Sequence, residues 1–189
     1  MVNPVLNIFR KKISEKFEFH SEKIKLYDDD FDKIGYKLKT HIDSIFGKSL
    51  NIRVIDSGSD NSTLIELVNL TTPHYDIERF GVSFVASPRH ADVLVVTGPV
   101  TNNMAIAVKK TYDATPFPKF VIAIGDDACD GGIFKNSYAV LDGADKIIPV
   151  DIKIPGNPPS PHEILEGLIN LMKKIKNPRP SAGSPKSYR

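Results

Sequence analysis

The feature that most constrains the fold is a short segment, Asp92–Thr97, whose four central residues are all apolar and which is followed by a Gly-Pro pair. A run of this kind lacks the alternation of a half-exposed strand and is typical of a strand buried on both faces of a parallel sheet. Thr101 or Asn102 can then cap a helix that continues to Tyr112. Strand, tight turn and helix N-terminus form the half-unit at which doubly wound folds place ligands.

The same alternation of strand and helix patterns continues from residue 50 onward. The predicted strands are 51–55, 82–85, 92–97, 119–124 and 146–150, and the predicted helices are 63–70, 103–112 and 160–175. Such alternation indicates an open parallel sheet with helices on both faces. The length of this region suits a flavodoxin-like α/β fold.

The first 48 residues have a different pattern, with two apolar stripes at helical spacing. The first stripe comprises Val5, Leu6, Ile8, Phe9, Ile13 and Phe17, and the second comprises Phe31, Ile34, Leu38, Ile42, Ile45 and Phe46. Their apolar faces need a partner, which is either the chain's own domain or another subunit or membrane surface. We therefore expect an amphipathic helical extension at 1–48, the α/β domain at 49–175 and a basic, disordered tail at 176–189.

Composition excludes several classes of protein. The single cysteine rules out an internal disulfide framework, and the net charge of +2 favours no acidic partner such as nucleic acid. We find no segment of about 20 apolar residues that would span a bilayer. The glycine-rich loops lack a dinucleotide or phosphate-loop fingerprint. We expect a cytoplasmic protein that is peripheral to a membrane complex.

Four glycine- and proline-containing loops follow the predicted strands, at 57–63, 98–101, 125–132 and 154–159. The ends of parallel strands meet at one edge of a sheet, so we expect these loops to lie together. Glycine permits close approach of the backbone, and proline fixes the loop shape. A compact ligand is therefore expected at this edge.

These loops carry a family resemblance. The motifs are GSxNxxxIE, TPxYDxERFG, SPRHADVLxVTGPVT, GGIF, DKIIPVD and IPGxPP, in this order. The chain resembles the small, electron-transferring subunit of group 4 nickel–iron hydrogenases and the B (20 kDa) subunit of respiratory complex I. The resemblance implies a flavodoxin-like fold, a 4Fe–4S cluster at the loop edge and a membrane-associated complex. The implied partners are a hydrogenase large subunit or 49 kDa-type subunit, together with membrane-arm and ferredoxin-like subunits.

The chain departs from the family at all four positions that the resemblance assigns to cluster cysteines. These positions hold Asp60, Thr63, Asp127 and Asn157. The only cysteine, Cys129, lies two residues beyond an expected ligand position. A cubane cluster needs four thiolates, so we expect a cluster-free subunit with a structural or regulatory role.

Three alternatives stay open. In one, a working electron-transfer subunit holds its cluster on the unusual ligands Asp60, Asp127, Cys129 and His90. In another, oxygen donors at Asp60, Asp127 and Asp130 bind a divalent cation, although loop capping explains these aspartates more simply. In the third, the chain is a stand-alone metal- or nucleotide-binding module, which would rest on fold analogy alone.

Other residues are candidates for the pocket or its surroundings. Glu66 matches a glutamate beside the family's cluster loop, with an implied role in proton movement, and an ion pair with Arg79 or Arg89 explains it equally well. Arg89 and His90 can tune a cofactor or brace the loop before the central strand. Gly98, Thr101, Cys129 and Asp130 complete the set of candidate pocket residues.

Overall fold

The sheet of this protein is parallel throughout, in a computed structural model that describes residues 29–176. Its strands are β1 (Leu50–Asp56), β2 (Val82–Phe84), β3 (Val93–Thr97), β4 (Phe120–Ile124) and β5 (Ile152–Ile154), in the order β2-β1-β3-β4-β5. This 2-1-3-4-5 order is that of flavodoxin-like doubly wound sheets. The expected fold class is confirmed.

Helices cover both faces of the sheet. They are α1 (Asp29–Phe46), α2 (Ser62–Asn69), α3 (Ala105–Ala114), α4 (Asp126–Asp130) and α5 (Pro161–Lys176). One apolar core lies between the sheet and α1, α2 and α5, and a second core lies between the sheet and α3 and α4. The central strand β3 is fully buried because its side chains supply both cores.

The second amphipathic stripe forms α1 and packs on the chain's own domain. Phe31, Leu38 and Ile42 are completely buried in the core shared with α5. The Phe31 ring lies 4.8 Å from the Tyr75 ring and 5.4 Å from the His162 ring, between centroids. The first stripe and the tail lie outside the described residues, and the division at residue 48 stays a prediction.

The position of the last strand is corrected by the structure. We expected it at 146–150, but β5 is Ile152–Ile154, and Lys146 ends a short 3₁₀ turn, Ala144–Lys146. Pro149 has no N–H for a sheet ladder. Ladder pairing begins only after Asp151, whose backbone N donates to Val121 O (2.8 Å) and whose Oδ2 accepts from Val121 N (2.9 Å).

Apolarity and length together decide whether a helix can cross a bilayer. In residues 29–176 no helix satisfies both requirements.

Candidate site at the carboxyl edge of the sheet

The first two loops of the edge are joined by a buried serine. Ser57 directly follows β1, is completely buried, and donates its hydroxyl to Thr97 O (2.8 Å) and Gly98 O (2.9 Å). Its own carbonyl accepts from Thr101 N at 3.0 Å. These bonds fix the loop after β1 against the loop after β3.

The third and fourth loops are joined in the same way. Asp126 donates its backbone N to Gly156 O (2.9 Å), and its Oδ1 accepts from Gly156 N (2.8 Å). Gly125 N also donates to Ile154 O at 2.8 Å. The roles of Ser57 and Asp126 were not predicted from the sequence. The signal that could have identified them is a short polar residue within two positions after the end of a strand.

Glycines let these loops touch. Gly98 has φ +75°, and a Cβ added there would lie 2.4 Å from Ser59 N. A Cβ on Gly125 would lie 2.6 Å from Thr63 Oγ1, so the Thr63 hydroxyl sits directly over the start of the third loop. A Cβ on Gly58 would meet Thr101 Cγ2 at 2.4 Å. All four loops therefore converge, as the edge rule predicts.

Two of the four positions that the family resemblance assigns to cluster cysteines lie near the surface. Asp60 is exposed, and its Oδ1 accepts from Ser62 N (2.9 Å) and Ser62 Oγ (2.6 Å). These hydrogen bonds lower the pKa of the Asp60 carboxyl, so it stays ionised. Asn157 is exposed in the loop after β5.

The other two positions are buried. Thr63 is 6% exposed and Asp127 is 9% exposed. Burial is the main cause that raises the pKa of Asp127, and the charges of Asp60 and Asp126 raise it further. The structure thus brings Asp60, Thr63 and Asp127 to one edge. The pKa of the Asp60 carboxyl is lowered there, whereas the pKa of the Asp127 carboxyl is raised.

Cys129 points away from this edge into the second apolar core. It is 8% exposed, and its Sγ lies 3.7 Å from Ala123 O on β4. Burial raises the pKa of the Cys129 thiol to about 11, which disfavours the thiolate that a metal would require. Its neighbour Asp130 is exposed and pairs with Lys135 at 3.0 Å.

The remaining candidates have ordinary structural surroundings. Glu66 accepts a long hydrogen bond from Asn69 Nδ2 (3.4 Å), whereas Arg79, which we considered as its partner, forms an ion pair with Asp32. Arg89 and His90 are exposed on the 3₁₀ turn Pro88–His90, before the central strand.

The residues present do not fit a 4Fe–4S cluster. Two carboxyls, one hydroxyl and one amide replace the four thiolates, and the one thiol of the chain is buried in an apolar core. Within residues 29–176, no group of three or more His, Cys, Asp or Glu side chains is placed to hold a metal ion.

Comparison with known proteins agrees with this architecture. The sheet order and the converging loops define a doubly wound α/β domain with a candidate site at the carboxyl edge of the sheet. The model of the "NADH ubiquinone oxidoreductase, 20 Kd subunit" family matches residues 61–171, and the chain belongs to this family.

Individual relatives are also similar over most of their length. An uncharacterized protein of Methanocaldococcus jannaschii is 47% identical over 67% of this chain and 85% of its own length. The probable membrane-bound hydrogenase subunit mbhJ of Pyrococcus furiosus is 48% identical over 68% of this chain and 77% of its own length. A chain in the structure of the membrane-bound sulfane sulfur reductase, described as an archaeal respiratory membrane complex, has 37% identity and a TM-score of 0.62. That similarity covers 69% of this chain and 72% of the other.

Proposed function

We propose that this chain is a cluster-free structural or regulatory subunit of a membrane-associated, energy-converting oxidoreductase complex of the hydrogenase or NADH–quinone oxidoreductase type. The observation that carries the proposal is the exchange of all four cluster-ligand positions within loops that hydrogen bonds of the Ser57 and Asp126 side chains hold together. Membership of the 20 kDa subunit family and similarity to a membrane-bound hydrogenase subunit support a place in such a complex.

The loop edge is the surface that faces the large-subunit partner in this proposal. The segment after α4 runs beside the loop after β3, since Leu141 N donates to Val100 O at 2.7 Å. It exposes large apolar side chains, with Ile133 79% and Tyr138 96% exposed. Exposed apolar side chains grouped at one edge of a small protein are typical of a binding surface. Membrane-arm and ferredoxin-like subunits contact other surfaces, and the complex lies at the cytoplasmic face of the membrane.

The alternative cluster on Asp60, Asp127, Cys129 and His90 receives no support, because the Cys129 thiol lies in the second core. A stand-alone nucleotide-binding module likewise has no specific observation in its favour.

Purification of the affinity-tagged full chain from its source, without oxygen, tests the place in a complex. We expect a large-subunit homologue and membrane-arm subunits to co-purify in constant proportion to the chain. Elution of the chain alone, as a monomer, would contradict the proposal and favour the stand-alone module.

A further inference from the structure

The carboxyl of Asp127 is a buried polar group of the loop edge for which no hydrogen bond to another loop is found among the described residues. The side chain is 9% exposed, and its Oδ1 is buried with no hydrogen-bond partner among the described residues. Burying a carboxylate oxygen without a donor is costly, because water no longer solvates the charge.

The backbone around Asp127 holds the carboxyl in place. Gly132, with φ +50°, packs so closely that an added Cβ would lie 1.9 Å from Asp127 Oδ1. Gly131 N donates to Asp127 O at 2.9 Å and closes the turn after α4. The side chain is thus enclosed by a turn that only glycine permits.

The charges around this carboxyl are negative. Asp60 faces it from the loop after β1, and Asp126 and Asp130 lie on its own helix α4; each of the three raises the pKa of Asp127. The backbone N–H of Ile133 offsets this in part.

The nearby lysines are engaged elsewhere. Lys135 pairs with Asp130 at 3.0 Å, and Lys153 pairs with Asp145 at 2.9 Å. Neither of these ammonium groups forms an ion pair with Asp127 in the described structure. A bound proton is therefore the simplest way to neutralise its carboxyl.

We infer that Asp127 is a proton-binding site, at which the folded protein keeps a neutral carboxylic acid at pH values where exposed aspartates are already ionised. A proton then occupies one of the positions that the family resemblance assigns to a cluster ligand. The stability of the loop edge consequently depends on pH. This inference concerns the isolated chain and does not depend on the proposed complex.

Urea unfolding of the full chain between about pH 4 and pH 7.5 tests the inference, with D127N as the neutral variant and D130N as the matched control. The folded state raises the pKa of Asp127, so the native protein binds this proton more tightly than the unfolded chain does. Stability of the wild type relative to D127N therefore falls as pH rises from the unfolded value of about 3.9 through the folded pKa. Suppose that folding raises the pKa of Asp127 by one unit. The ratio of the folding equilibrium constant of D127N to that of the wild type is then about tenfold larger above this pH range than below it.

The D130N control is expected to show the opposite pH dependence of stability. The Lys135 hydrogen bond lowers the pKa of Asp130, so D130N loses stability at neutral pH and the difference disappears as pH falls. Opposite pH slopes for the two variants support the inference. Parallel slopes, or a D127N chain that is less stable than wild type at neutral pH, would overturn it.

A second measurement decides the matter if D127N fails to fold. Carboxyl ¹³C resonances of the labelled wild-type chain are followed through a pH titration, with Asp127 assigned through its backbone. A midpoint for Asp127 above those of Asp60 and Asp130 supports the inference, and a midpoint equal to or below theirs overturns it.

Discussion

Single residues of the carboxyl edge join its loops through hydrogen bonds and close packing. The Ser57 hydroxyl joins two loops, the Asp126 carboxylate joins the other two, and Thr63 lies over Gly125. A hydrogen bond contributes about 1 kcal/mol net, and more when one partner is charged. Several such bonds can therefore hold the four loops together, whereas the cluster-ligand positions that the resemblance implies lie in only three of the loops.

We expect Gly132→Ala to destabilise the fold more than Gly47→Ala. Both glycines have positive φ, but a Cβ at Gly132 would clash with Asp127, whereas at Gly47 there is nothing within 4 Å. The left-handed conformation costs about 1–2 kcal/mol at either position, and the clash adds roughly 1–3 kcal/mol at Gly132 alone. Urea unfolding measures both changes, and equal losses would show that Asp127 is not enclosed by this turn.

Cys129 is expected to be inert in the native protein. Its thiol is buried and its pKa is raised to about 11, so iodoacetamide should modify it only slowly at neutral pH. The same chain unfolded in urea is the control and should react like a free thiol. Native and unfolded chains that react equally fast would place the thiol at the surface.

At the scale of elements, α1 is part of the core, although sequence left open whether it docks elsewhere. Its buried face packs with α5 on the same side of the sheet as α2. The α1 residues that sequence marked as apolar were the right ones. Their partner was not predictable, because an amphipathic stripe does not identify the surface that covers it.

We predict that Phe31→Ala lowers the free energy of unfolding by about 3–5 kcal/mol, whereas Tyr36→Ala on the same helix costs much less. Phe31 is completely buried, and Tyr36 is 59% exposed. Thermal or urea unfolding measures both variants. If Phe31→Ala left the free energy of unfolding unchanged, α1 would not be part of the cooperative core.

Sequence predicted the elements with strong patterns and missed those decided by local geometry. The apolar run of β3 was correctly placed, because burial on both faces leaves a direct signal. The apolar 146–150 segment is not a strand. Ile148 lies in a loop and is buried there, and hydrogen bonding to β4 begins only at Asp151. The short helix α4 (Asp126–Asp130) was not foreseen within a glycine-rich loop.

The candidate site was predictable in the same limited way. Motif order located Asp60, Thr63, Asp127 and Asn157 in the loops that meet at the edge. The direction of Cys129 and the burial of Asp127 were not predictable, because both depend on how α4 turns after β4.

At the scale of the whole molecule, exposed apolar side chains lie at both the carboxyl edge and the amino edge of the sheet. Large apolar side chains follow β4 at the carboxyl edge, and Phe117 precedes β4 at the amino edge, where it is 83% exposed. In the proposed complex only the carboxyl edge meets the large subunit.

We therefore expect Ile133→Ser and Tyr138→Ser to reduce the amount of large-subunit homologue that co-purifies with the tagged chain. Phe117→Ser is the matched control and should retain it. All three side chains are exposed, so unfolding free energies should change by no more than about 0.5 kcal/mol. Loss of the partner in Phe117→Ser alone would place the interface at the amino edge.

The absence of a cluster is the central claim, and iron and acid-labile sulfide measured on the anaerobically prepared full chain test it most directly. The matched control is the variant with Asp60→Cys, Thr63→Cys, Asp127→Cys and Asn157→Cys, which restores four thiolates to the same loops. We predict a colourless, iron-free wild-type chain and about four irons and four sulfides in the control, with absorbance near ~400 nm. About four irons and four sulfides in the wild-type chain would contradict the account.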